Sequence, residues 1–276
     1  MKHFIFYMFL LFFLMFMPLM RQIAVARESF TMAFAMEPSK HPGWRLAELI
    51  YTEAFRRLGK EFRYNVFPAK RSSLMANSGK VDGEPSRNIQ YGETYKNLVR
   101  VEEPIVVFRV VAYAIDPEIS VNGWESLLNT PYRVDYVLGY HIAKEKLPKV
   151  VKAENISVIP SPFLGLRKLI ANRTDIFVND EITILGILNS QEFKNSGIIK
   201  AGILEQSFTY PYLHKSHASI APELAKVLRQ MNAEGEIKKY LYQVMHEFSK
   251  DGGGCSDLPD NGRPDQVLPE YIINHP

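Results

Sequence analysis

The stretch Arg133-Val-Asp-Tyr-Val-Leu-Gly-Tyr140 decides the fold. Arg133 to Leu138 reads as a strand that runs into Gly139-Tyr140 and then a helix through Lys146. The unit recurs twice. Ile156–Ile159 is a strand before a helix over Pro162–Asn172, and Asp175–Val178 is a strand before a helix over Glu181–Leu188. Strands alternating with helices imply parallel sheets covered on both faces.

An earlier block has the same grammar. Phe30-Thr-Met-Ala-Phe-Ala-Met36 alternates large and small residues and reads as a strand ended by Glu37-Pro38-Ser39. After Pro42-Gly43, Leu46, Leu49, Ile50, Ala54 and Leu58 fall on one helical face, with Gly59 as the stop. A strand over Phe62–Phe67, a short helix over Arg71–Asn77 and a short strand over Val81–Glu84 follow. Leu98–Ile115 is long, apolar and β-branched, so two strand segments are expected, interrupted at Pro104. Ala221–Phe248 is amphipathic, with Leu224, Val227, Leu228 and Met231 on one stripe and a break at Gly235.

Met1-Lys2-His3 is a basic start, Phe4 to Met20 an apolar run broken only by Pro18, and Ala24-Val25-Ala26 a small-residue cleavage site. This is the layout of a secretory leader, with the mature chain beginning at Arg27. The alternative is a retained anchor, since the run reaches about 25 Å as a helix, near the lower limit for spanning a bilayer. The chain's 33 basic residues fall to 31 without Lys2 and Arg21, against 30 acidic ones. So slight an excess names no polyanionic partner, and no basic stripe marks nucleic-acid binding. The expected organisation is a signal peptide over 1–26, a first lobe from 27–110 plus 207–250, a second lobe over 111–206, and an irregular tail over 251–276, with crossings near 110 and 206.

Catalytic signatures are missing from the sequence: no G-x-S-x-G, no H-E-x-x-H and no phosphate-binding glycine loop. His214-x-x-His217 offers two metal ligands without a third at a recognisable spacing. The single cysteine, Cys255, excludes a disulfide framework within the chain and has no obvious base beside it. The expectation is a binding protein rather than an enzyme, with no cofactor and no metal. Ligands of such sheets sit outside the carboxyl ends of the strands, and the cleft between lobes is the natural pocket.

Phe67-Pro-Ala-Lys-Arg71, Leu74 through Glu84 with Arg87, and Tyr95 through Ile105 resemble the first lobe of the family 3 extracellular solute-binding proteins of ABC transporters. Val137-Leu-Gly-Tyr140, Thr174 through Asp180, Tyr212 through His217 and Met231 through Glu236 are similar to that family's second lobe and closing helices. The resemblance implies an α/β fold: a two-lobed type II periplasmic binding protein, or Venus flytrap, with two mixed, mostly parallel sheets flanked by helices. It implies a periplasmic monomer that captures a small polar solute, an amino acid or other carboxylate-bearing molecule, and hands it to a membrane permease. A sensing module for a separate receptor and a dehydratase-like enzyme are the other known uses of such a fold. Asp82-Gly-Glu-Pro-Ser-Arg87 is shorter than the matching segment of the amino-acid binders.

Each candidate ligand residue has a plainer alternative. Arg87, after the third strand, has the planar fork that grips a carboxylate; otherwise it is a surface arginine paired with Glu84 or Glu93. Arg71 opens a helix after the second strand, where arginines are commonly solvated. Glu37 and Trp44 bracket the first strand-to-helix loop, and the Trp44 indole either stacks on a ligand or caps the core. Tyr140 lies at a helix start with free backbone N–H groups. Asn179 and Asp180 end a strand where the family's amino-acid binders place an acid for the ligand ammonium; the alternative for Asp180 is a helix N-cap. Glu84 completes the candidate set as a neighbour of Arg87.

Overall fold

Strands β1 (Ser29–Phe34), β2 (Glu61–Val66) and β3 (Gly83–Arg87) form a parallel trio with β1 in the middle. A second parallel trio consists of β6 (Val134–Val137), β7 (Ile156–Ile159) and β8 (Ile176–Asp180), with β6 in the middle. The computed structural model describes residues 28–250, so the leader with its cleavage site and the tail with Cys255 lie outside the described residues. Between the trios run β5 (Val106–Ala114) and the 16-residue β9 (Ile199–His214), both antiparallel to their neighbours. The described strands follow the order β2-β1-β3-β9-β5-β8-β6-β7, and the short β4 (Leu98–Arg100) pairs with the end of β9. The expected pair of sheets is therefore present as two parallel trios, tied into one path by β9.

The helices cover both sides of this path. They are α1 (Pro42–Arg57), α2 (Ala69–Asn77), the single turn α3 (Tyr91–Thr94), α4 (His141–Lys146), α5 (Pro162–Ile170), α6 (Glu181–Leu188), α7 (Ala221–Ala233) and α8 (Glu236–Lys250). Pro42 and His41 start α1, the imidazole Nδ1 accepting the Gly43 N–H at 3.1 Å. Its apolar stripe of Leu46, Ile50, Ala54 and Phe55 joins Phe30, Met32 and Phe34 of β1 and Leu224, Leu228, Leu241 and Val244 of α7 and α8 in one core. The second trio has cores on both faces. Val110, Ala112 and Ala114 enter one, and the intervening Val111 and Tyr113 enter the other. No described helix is long and apolar enough to cross a membrane.

The sequence did not announce β9 as a strand. Two bulges interrupt its pairing with β5, where Leu204 and then Ala201 stand opposite no partner residue, and Pro211 breaks its donor row. The alternation that identifies a strand is thereby shifted twice, and both extra side chains are buried in the second trio's core. Next to the Ala201 bulge, the loop at Val121–Gly123 lies against β9, with Val121 N–H donating to Ala201 O and Gly123 N–H to Ile203 O at 3.1 and 2.9 Å. A Cβ added at Gly202 would stand 1.8 Å from the Val121 carbonyl oxygen. Gly202→Ala is expected to destabilise the fold by about 2 kcal/mol, the range of overpacking at a closed site. Urea denaturation would show a lower midpoint with an unchanged slope, whereas an unaltered midpoint would mean that the loop is free to lift away.

Candidate functional site

Strand order explains where the site lies. In both trios the strands beside the β5–β9 pair deliver their carboxyl ends to one place: Ser86 and Arg87 end β3, and Asp180 ends β8, with Glu181 opening α6 beside it. The loop after β1 brings His41, the first turn of α1 brings Trp44, and the loop after β6 brings Tyr140. Together with Ile105–Arg109 and Glu205, Ser207 and Thr209 of the antiparallel pair, they enclose a cavity of about 540 Å³. This is an ordinary volume for a small-molecule site.

Arg87 lines the cavity and is also ion-paired with Glu84, so its two alternatives coexist. Its Nε and Nη2 donate to the Glu84 carboxylate at 3.2 and 2.7 Å, which leaves the Nη1/Nη2 end of the fork for another acceptor; Nη1 also donates to Ser86 O at 3.3 Å. Glu84 is fully buried and does not line the cavity. It accepts further hydrogen bonds from Ser72 Oγ at 2.9 Å and from the Tyr91 hydroxyl, and Arg87 lies over the Tyr91 ring at 5.3 Å. Burial pulls the Arg87 pKa down, but the Glu84 charge outweighs it, so the guanidinium is held more firmly protonated than free arginine.

Across the cavity, Asp180 caps α6 by accepting the Thr183 N–H at 2.9 Å and still lines the cavity, so here too both roles coexist. The Tyr140 hydroxyl is buried without a hydrogen-bond partner among the described residues. Burial first, and then the charges of Asp180 and Glu205, push it well above the usual phenol range, so it stays a neutral hydroxyl that can donate or accept. Trp44 combines its two roles as well, lining the cavity while its ring tilts against Phe34 at 5.2 Å.

Besides Glu84, three sequence candidates are placed elsewhere. Glu37 is exposed and contributes its carbonyl to Lys40 N–H at 2.9 Å, outside the cavity wall. Arg71 follows β2, the outermost strand of its trio, and is exposed, with its guanidinium 5.7 Å from the Phe67 ring centre. Asn179 is buried within β8 and turns its Oδ1 to the Asp180 N–H at 2.8 Å. The two histidines of His214-x-x-His217 part company: His214 caps the following turn beside Ser216, and His217 pairs with Asp82 at 2.9 Å. The described residues contain no metal-ligand cluster.

Sequence reading missed the charged groups on the antiparallel pair. Arg109 donates to Gln206 Oε1 at 2.7 Å and pairs with Glu181 at 3.3 Å, and Glu181 in turn holds Lys200 at 2.8 Å. Glu205 accepts the Trp124 indole N–H at 2.8 Å. Glu205, Ser207 and Thr209 form a polar stripe of period two, a signal that becomes legible only once β9 is seen to be a strand.

A protein of Shewanella oneidensis, described as an uncharacterized protein, is 37% identical over 222 residues, covering 80% of this chain and 84% of its own length. This chain belongs to that protein's family. No protein-family model matches it. Among solved structures, the YckB protein of Bacillus subtilis superposes with a TM-score of 0.61 at 15% identity, covering 81% of this chain and 93% of that one. An amino-acid ABC transporter substrate-binding protein of Streptococcus pneumoniae, bound to L-arginine, matches with a TM-score of 0.52 at 14% identity, over 80% and 96% of the two chains. A histidine kinase sensor domain similar to periplasmic binding proteins matches with a TM-score of 0.50 at 13% identity, over 80% and 96%. The fold is thus that of the periplasmic binding proteins, as the resemblance to family 3 implied, and the functions named among these neighbours are solute binding and sensing.

The Glu84 network sets a stability test. Removing one partner of a buried ion pair leaves the other uncompensated, which costs about 3–5 kcal/mol when both are fully enclosed. Arg87 keeps 19% side-chain exposure, so Glu84→Ala is expected at the lower end, about 3 kcal/mol, with Glu84→Gln milder. Urea titration of the two variants measures this, and midpoints equal to wild type would show the network to be without energetic weight.

Proposed function

We propose that this chain is a periplasmic solute-binding protein that captures an amino acid or other carboxylate-bearing molecule for ABC-type import. The observation that carries the reading is the cavity wall, which is built from both trios and places Arg87 on one side and Asp180 with Tyr140 on the other. A solute carboxylate takes the free end of the Arg87 fork, which Glu84 holds in place. An ammonium or hydroxyl group of the same molecule meets Asp180 and the unpartnered Tyr140 hydroxyl.

Only a ligand that touches both sides can favour one arrangement of the lobes over another. In this reading the lobes are 27–110 with 207–250, and 111–206, and they move about the β5–β9 pair. The chain works as a monomer, cleaved after Ala26, without cofactor or catalysis, and its partner is a membrane permease. A second reading, a module that presents ligand to a separate receptor, is favoured by the likeness to a sensor domain.

A thermal-shift screen of amino acids and other carboxylates finds the ligand, because binding confined to the folded state raises Tm. Calorimetric titration of that ligand into Arg87→Lys and Arg87→Ala then tests the site. Replacement by Lys keeps the charge and loses the planar fork, so affinity should fall by about 1.5–3 kcal/mol, roughly ten- to a hundredfold in Kd. Unchanged affinity in both folded variants would remove Arg87 from the site.

A further inference from the structure

The cavity carries a second kind of information in its apolar wall. Trp44 of α1, Val106 and Phe108 of β5, Ile142 of α4 and Ile182 of α6 all line it and are all half-buried, so each keeps surface that a ligand can cover. They come from both sides of the site, and behind them Leu46, Ala47 and Ile50 close the wall as part of the core. A solute with a polar or charged body would strip water from its own groups against this wall and gain nothing in return.

The charged groups on the wall are largely engaged within the protein. Arg87 is on Glu84, Arg109 on Glu181 and Gln206, Glu181 also on Lys200, Glu205 on the Trp124 indole, and Glu145 on Lys149 at 3.1 Å. They can complete the hydrogen bonds of one compact polar head, but a second charged group on the ligand would have to compete with these contacts. Lys146 is the lining cation without a carboxylate partner among the described residues, and it is the group that would favour an acidic side chain.

Resting on the proposed function, we infer that the ligand is an amino acid whose side chain is aromatic or branched and apolar. The carboxylate and ammonium occupy the Arg87 and Asp180–Tyr140 ends, and the side chain lies along Trp44, Phe108, Ile142 and Ile182. This separates the chain from its structural neighbour that holds arginine. Covering an apolar side chain of the size of leucine or phenylalanine corresponds to roughly ten- to a hundredfold in Kd relative to alanine.

Calorimetric titration of the purified protein with phenylalanine, leucine, alanine, glutamate, lysine and arginine decides it. The expected order places phenylalanine or leucine at least tenfold tighter than alanine and tighter than the three charged amino acids. In Trp44→Ala, and independently in Ile142→Gln, with folding checked by circular dichroism, the preference for the large apolar side chain over alanine should shrink toward unity. Tightest binding of arginine, lysine or glutamate overturns the inference while leaving the proposed function standing. Equal affinity for alanine and phenylalanine, or preferences unmoved in both folded variants, also overturns it. No binding of any amino acid, with another carboxylate found in the wider screen, overturns it too, and no carboxylate ligand at all overturns the proposed function as well.

Discussion

The antiparallel pairing of β5 with β9 is the constraint on which the rest of the structure depends. Its register runs from Val106↔Thr209 to Ala114↔Ile199, and it stands between the two parallel trios in the strand order. Because both trios point their carboxyl ends toward it, their loops have to meet over its surface, and a cavity there is a consequence of topology. The bulges at Leu204 and Ala201 add local twist and let one long strand serve both cores. Beyond Thr209 the same strand pairs with β3, Arg87 opposite Tyr210, and past Pro211 with β4 as well, so one strand fixes the position of Arg87 and of Glu205 together.

Within the cavity the charges are arranged ahead of any ligand. A buried carboxylate such as Glu84 is tolerable because Ser72, Tyr91 and Arg87 all donate to it. What this arrangement contributes is a guanidinium held in place by Glu84, so that under the proposed function less side-chain freedom would be lost on binding a carboxylate. The opposite side retains an unsatisfied group, the Tyr140 hydroxyl, next to the helix-capping Asp180. A buried hydroxyl without a partner is a cost to the protein alone, and under the proposed function a ligand group hydrogen-bonded to it would recover that cost.

Much of the fold is legible in the sequence because it is local. The α1 stripe with Gly59 as its stop, the three strand–helix units from Arg133 to Leu188 and the break at Gly235 all match the described elements to within a few residues. β9 was not legible, since its bulges and its partners are matters of tertiary pairing. The site divides in the same way. Trp44 and Tyr140 follow strands, Asp180 ends β8, and Arg87 ends β3, which runs three residues further than the expected strand at Val81–Glu84; all four could be found by position along the chain. Glu37, Arg71 and Asn179 also follow or end strands, but which strand is outermost and which way a loop residue faces depend on strand order. Arg109 and Glu205 lie inside strands, where sequence position gives no hint of a cavity.

Under the proposed function, one solute is held from both sides of the β5–β9 pair and draws the proposed lobes together. Small-angle X-ray scattering of the purified protein, with and without a saturating ligand whose binding calorimetry has established, tests it most directly. Closure would give a smaller radius of gyration and a narrower distance distribution in the bound state. An unchanged scattering curve at full occupancy would contradict it, and would mean that the solute is held without closure.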